Sequence, residues 1–354
     1  MAVLTGSDSD AVFVLSTIAT NYGTATAATA SEDRLVCESV GIEETVTELE
    51  LNSIGAGTLV STDADRGSVA AAASINMKGG YHNAFAKICA QFFGTSGTPT
   101  EQNGGEGDYL HRMTLNSDHT NIHASIAYES STTTVKEIPS ATCTDLAITW
   151  RPLDYLDCTA SFLGDEVELS TSVNTNAVVG ASGEEDTERI VVQDTDEFLI
   201  NAQGGGALTS PTDRLDVAEA VFNFTRPQSF VQEINGTAGN SAPIRDGLAT
   251  GTLTVTLKNS NNHTYEDAAQ AGTEYKASIR AEGTQIGSGD NKKVEIFIPR
   301  MKLLPIPQYN LDSPGENQKI LVFKILSASA NPTDMDDHDF YVEFINEKSD
   351  AYVA

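Results

Sequence analysis

From Thr250 to Leu257 the chain alternates: Leu253, Val255 and Leu257 fall on one side, Thr250, Thr252, Thr254 and Thr256 on the other. A period of two is the signature of a strand with one face on a core and the other in solvent. The pattern recurs in Thr142–Trp150, which puts Leu146, Ile148 and Trp150 on one face and Asp145, Ala147 and Thr149 on the other. Arg151-Pro152-Leu153-Asp154 then gives a turn signal. Cys158–Leu163 returns with Cys158, Ala160 and Phe162 together, so the segment reads as a hairpin. Further strand-like runs are Arg34–Ser39, Thr45–Leu51, Ser68–Met77, Met113–Tyr128, Glu197–Asn201, Val217–Phe224, Phe230–Ile234, Tyr275–Ala281, Lys293–Pro299, Lys319–Ser327 and Phe340–Ile345. A chain of this kind is expected to be mainly β, an antiparallel sandwich or barrel.

One helix stands out. In Tyr81–Phe93, Phe85, Ile88, Cys89 and Phe92 share a face, and Gly94 sits where a helix C-terminus favours positive φ. A shorter helix is expected at Tyr265–Ala271, closed by Gly272. Residues 1–33 are small and polar and read as an N-terminal arm. Ser53–Gly67 is punctuated by glycine and reads as a long loop. Residues 34–330 form the β domain, with a projecting acidic excursion at 165–196, an extended linker at Pro305–Pro307 and a C-terminal segment at 331–354.

The charge narrows the function. Of 354 residues 50 are acidic and 21 basic, a net charge of −29, and the excess lies in the first two thirds. Such a surface repels phosphate and argues against sequence-independent nucleic-acid binding. It suits solubility, a salty host, or a wall past which DNA slides without sticking. The first 16 residues carry Asp8 and Asp10 without Lys or Arg, and no apolar run reaches membrane-helix length. A soluble protein made in a cytoplasm is the expectation.

No motif carries a mechanism. HExxH, GxxxxGK[ST], GxSxG and GxGxxG are all missing. His119 and His123 are four apart, but Ser125, Ile126 and Tyr128 read as strand, where that spacing chelates poorly. The carboxylate run Asp334, Asp336, Asp337 and Asp339 lacks the turn glycine of a calcium loop and reads as a solvated loop. Of the four cysteines, Cys143 and Cys158 lie on neighbouring strands, where a bridge is possible, and Cys89 reads as a buried thiol. No enzyme activity, cofactor or metal is expected.

The order of segments adds a resemblance. "GSVAAAASINMKGGYHNAFAKICAQFFGT" is an extended run feeding a single helix that ends in Phe-Gly, and "ATCTDLAITWRPLDYLDCTASFLG" is a hairpin ending in Ser-Phe-x-Gly. "FLINAQGGGALTSPTDRLDVAEAVFNFTRP" and "GTLTVTLKNSNNHTYEDAAQAGTEYKASIRAEG" complete it. Over roughly residues 34–330 this resembles the major tail (tail tube) proteins of long-tailed bacteriophages. The resemblance implies a β-sandwich or barrel with one packed α-helix, a long loop and an N-terminal arm. Six subunits would form a ring whose inner sheets join around an acidic lumen. Rings would stack into the tail tube through the long loop, the arm or the C-terminal segment.

The implied partners are the protein itself, a tape-measure protein, a tail terminator and distal tail or baseplate proteins. DNA would transit the lumen without specific binding, and the location would be the virion. Carried onto this chain, the inner strands are Ser68–Met77, Thr142–Trp150, Cys158–Leu163 and Thr250–Leu257, with Asp145, Thr149, Thr252 and Thr254 facing the lumen. Asp63, Asp65 and Arg66 would be stacking contacts of the long loop. Two other readings fit parts of the pattern. One is another self-assembling β protein, such as a secretion-tube subunit or capsid decoration protein. The other is an extracellular carbohydrate-binding or carbohydrate-degrading protein, for which 7% aromatic residues and one tryptophan are thin.

Overall fold

A computed structural model describes residues 12–20, 22–29, 33–51, 63–82, 84–116, 122–131, 134–169, 171–183, 187–193, 196–230, 242–258, 264–304, 308–310 and 318–353. The described residues are mainly β. The strands are β1 (Phe13–Leu15), β2 (Ser39–Leu51), β3 (Asp63–Lys78), β4 (Thr100–Glu101), β5 (Tyr109–Met113), β6 (Ala124–Ser131), β7 (Thr134–Trp150), β8 (Asp157–Gly164), β9 (Glu168–Leu169) and β10 (Glu197–Ala202). They continue as β11 (Glu219–Thr225), β12 (Gln228–Ser229), β13 (Ile244–Arg245), β14 (Thr250–Lys258), β15 (Glu274–Gln285), β16 (Asn291–Leu303), β17 (Gln308–Asn310), β18 (Gln318–Ile325) and β19 (Tyr341–Asn346). Three helices join them: α1 (Ala84–Phe93), α2 (Asn176–Ala181) and α3 (Thr264–Ala271).

All pairs of these strands are antiparallel. One continuous run is β2-β3-β8-β7-β11-β14-β18. Among the described pairings β2 has one neighbour, β3, and is an edge, whereas β18 is paired with β14 on one side and with β16 and the three-residue β17 on the other, so only β17, beyond β18, is open at that end. A second run, β10-β15-β16-β19-β5-β4, joins the first through β16 and β18. The first half of β7 carries β6 and, beyond it, β1.

Alternation builds the core. Ile148 and Trp150 of β7, Phe222 and Phe224 of β11, and Leu253 and Val255 of β14 point inward and join one cluster with Ile296 of β16 and Phe344 of β19. Phe224 stacks on Phe340 at 4.6 Å between centroids and also meets Phe92 and Phe93. Every residue of α1 is buried. The expected stripe is therefore only part of its contact surface, which fits a helix enclosed by protein. Gly94 has φ 83 and donates its N–H to Ala90 O at 2.8 Å. The Arg226 guanidinium donates to Phe92 O, satisfying a carbonyl at the negative end of the helix. Burial lowers its pKa to about 9.

Several expectations are corrected. Residues 12–29 are not a detached arm. Leu15 and Ile18 are buried, β1 pairs with β6, and the buried Asp33 carboxylate pairs with the Lys87 ammonium of α1. Asp63, Asp65 and Arg66 do not lie in a loop. They belong to β3, opposite Leu51, Leu49 and Glu48 of β2. The segment 165–196 is not wholly projecting, because Val179 of α2 packs with Val14, Ala28, Ala127 and Val135. The C-terminal segment is not peripheral, since β19 lies between β16 and β5. Arg34–Ser39 forms only a bridge at Arg34 before β2 begins. The helix α2 is not among the expected elements, whereas α3 is the short helix expected at Tyr265–Ala271, and Gly272 after it has φ 68 as a C-terminal glycine should. All four cysteines are free thiols, so Cys143 and Cys158 are not bridged. Residues 1–11, residues 52–62 of the expected long loop, His119, Glu184–Asp186, the strand expected after Phe230 and Pro305–Pro307 lie outside the described residues.

Candidate functional site

The outward face of the seven-strand run is the candidate. Register sets its rows, because directly paired residues in an antiparallel sheet point the same way. One row runs Lys78, Asp157, Thr149, Val221, Thr254, Val322. The next runs Asn76, Thr159, Ala147, Asn223, Thr252, Lys324. A third runs Ser74, Ser161, Asp145, Thr225, Thr250. Asp145, Thr149, Thr252 and Thr254, picked from separate segments, thus share one face. Sequence pattern had located β11 as a strand but not between β7 and β14, where it supplies Val221, Asn223 and Thr225.

The face is built from hydroxyls, amides and short aliphatic groups. Asp145 is anchored in it: Oδ1 accepts from Thr225 Oγ1 at 2.8 Å and Oδ2 from Thr144 Oγ1 at 2.9 Å. A chain of ion pairs crosses one rim. Lys78 pairs with Glu38 at 3.5 Å and with Asp157. Arg151 reaches Asp157 at 3.2 Å and Glu219 at 2.7 Å. Hydrogen bonding to the Asp157 carboxylate raises the Lys78 pKa.

The strong acidity expected of a lumen is not found here. Among its described side chains, Glu43, Asp145, Asp157 and Glu219 face Lys78, Lys258 and Lys324, close to balance. The excess acid lies elsewhere, for example in Asp334–Asp339. There Asp336 pairs with Arg112 at 2.6 Å, and Asp337 Oδ1 accepts from the His338 and Asp339 amides at 2.6 and 3.1 Å. Asp337, His338 and Asp339 bring possible ligand atoms within 4.8 Å of one another in this loop.

The second element is the β2–β3 hairpin. In it Asp63, Asp65 and Arg66 pair with Leu51, Leu49 and Glu48, outside the part of β3 that pairs with β8, and Glu43 to Thr47 of β2 are exposed. The sequence places strands at Thr45–Leu51 and Ser68–Met77 but reads Asp63–Gly67 as loop, because Gly67 interrupts the pattern. Two clefts flank the face. One of about 470 Å3 lies at the Thr225/Thr250 end and includes Leu248, Ile325 and Phe340. The other, of about 600 Å3, includes Trp150, Phe198 and Arg280 near the opposite end.

No family model matches this chain, and no curated protein matches it. Among the described residues no helix is long and apolar enough to cross a membrane.

Proposed function

We propose that this chain is a virion structural protein that self-assembles into stacked rings, six subunits to a ring, forming the tail tube of a long-tailed bacteriophage. The observation that carries the reading is the broad antiparallel run with a hydroxyl-rich outward face, a long open edge at β2 and a short one at β17 beyond β18. An edge strand is a template for pairing with another chain. Pairing the β2 edge of one subunit with the β17 edge of the next would close the runs of six subunits into one barrel, which removes the edges. The Asp145, Thr149, Thr252 and Thr254 face then becomes the wall of the lumen.

Such a wall would let DNA slide. Lys78, Asp157, Arg151 and Glu219 at its rim are tied to one another, its acids and bases are close to balance, and the chain as a whole is strongly anionic. The β2–β3 pair, with Asp63, Asp65 and Arg66 at its end, would make the contact with a neighbouring ring. The partners would be a tape-measure protein within the lumen and terminator and distal proteins at the tube ends. Negative-stain electron microscopy of the concentrated protein over a salt series tests the reading. Rings or hollow tubes of uniform diameter are expected, and monomers at every salt and concentration would contradict it.

A further inference from the structure

We infer that copies of this chain stack head to tail by seating the Arg151–Tyr155 turn of one copy in the cleft at the opposite end of the same strands in the next. The inference rests on the tube reading above and names a contact between its rings.

The turn closes the β7–β8 hairpin. Leu153 donates its N–H to Val192 O at 2.8 Å, and Asp154 donates to Arg151 O at 3.2 Å. Leu153 has φ 62. That left-handed conformation suits glycine or asparagine and is unfavourable for leucine. Its side chain is nonetheless 74% exposed and contributes little to its own subunit. An apolar side chain held out on a strained turn is explained by a surface that receives it.

Such a surface lies at the other end of the sheet. β7 and β14 run in the same direction, from Asp145 and Thr250 at one end towards Trp150 and Lys258 at the other. The cleft of about 470 Å3 sits at the Thr250 end, lined by Leu115, Leu248, Ile325 and Phe340 with Arg245 and Lys324 beside them. Leu248 is 75% exposed. Arg226 also lines the cleft, but its guanidinium serves Phe92 O and Asn116 O.

Charge gives the pairing its direction. Arg245 and Lys324 outnumber Asp339, the acid that lines the cleft, in a chain of net charge −29. The turn offers exposed Asp154, with exposed Asp216 next to it in the same shallow surface. Arg151 there is already held by Asp157 and Glu219, and Asp216 by Arg214 at 3.3 Å, so Asp154 is the acid the turn itself presents to the cleft cations, with Lys258 in the same surface. The two surfaces differ and lie at opposite strand ends, so the contact is heterologous and repeats along the strand direction.

Disulfide trapping tests the contact directly. In a Cys37→Ser background, Leu153→Cys with Leu248→Cys should give a ladder of cross-linked oligomers on oxidation, and neither single change should exceed a dimer. Leu153→Gly separates docking from folding. It relieves the left-handed strain, so the subunit should be at least as stable. Its rings should form while the concentration needed for stacking rises about tenfold or more. Asp154→Lys with Asp216→Lys should block stacking, as should Arg245→Glu with Lys324→Glu, and all four changes together should restore it. Rings that stack normally in Leu153→Gly, or that give no ladder, would overturn the contact and leave the tube reading standing. Wild-type protein that forms neither rings nor tubes at any salt would overturn both.

Discussion

Lys87→Met removes the cation from an ion pair sealed inside the protein. The Lys87 and Asp33 side chains are 6% and 0% exposed. Asp33 Oδ2 also accepts from the Thr29 amide at 2.7 Å and its hydroxyl at 3.1 Å. Without the ammonium, the carboxylate keeps these neutral donors and loses its counter-charge. Breaking one partner of such a pair costs about 3–5 kcal/mol, a large share of a typical total of about 5–15 kcal/mol. The cost comes from the stranded charge rather than from lost packing. Asp33→Asn added to Lys87→Met should therefore recover most of it, making the double variant more stable than the Lys87→Met single. Urea denaturation followed by the fluorescence of Trp150, the only tryptophan, measures all the variants on one scale. The damage should concentrate where Asp33 ties the N-terminal segment to α1. Hydrogen exchange should quicken first at the Leu15 and Leu35 amides, which donate to Asp33 O and Phe13 O. A loss under about 1 kcal/mol for Lys87→Met, or a double variant that loses the sum of both singles, would refute the reasoning.

Three further predictions concern other parts of the molecule. Burial lowers the His111 pKa to about 4, and its Nε2 bonds Lys348 O at 2.8 Å. Between that value and the ordinary ~6.5 the unfolded chain binds the extra proton, so this residue removes up to about 3 kcal/mol of stability as pH falls through the window. His111→Gln should lack that part of the slope, and urea titrations from pH 7.5 to 4 that run parallel for both proteins would rule it out. In Gly164→Ala the new Cβ would lie 2.3 Å from Ile138 Cγ2, an overpacking worth about 1–3 kcal/mol. Ile138→Val should restore part of it in thermal melts, and an unchanged melting temperature for the single variant would count against this packing. Asp145→Lys, which puts a cation on the hydroxyl-rich face of every subunit, should leave tubes intact and slow DNA ejection, read as infectivity of virions shown to carry the change. Normal infectivity would count against a lumen position for Asp145.

Much of this was legible where a local period meets a single environment. Thr250–Leu257 and the hairpin from Thr142 to Leu163 alternate because one face is buried and the other is not, and the faces read from sequence are those of the fold. Gly94 and Gly272 marked helix ends through positive φ. What stayed hidden is non-local. The strand beginning at Asp63 is held by pairing with β2 rather than by its own alanine-rich sequence. The small, polar segment around Thr24–Thr29 looks mobile, yet it is tied by Asn174, which accepts from the Ala28 amide and donates to Thr26 O, and by the distant Asp33–Lys87 pair. The near-balance of charge on the sheet face depends on which strands lie side by side, so a summed net charge pointed to an acidic wall that the face does not have.

The account turns on whether the outward face of the seven-strand run is enclosed on assembly. Thr252→Cys places a thiol on that face, where Thr252 is exposed in the single subunit. Labelling with a small maleimide and with a bulky polymer-linked maleimide, before and after assembly, measures enclosure. Both reagents should modify the free subunit, and in capped tubes the small one should still react while the bulky one is excluded. Equal labelling by both reagents in assembled tubes would put this face on the outside and contradict the account.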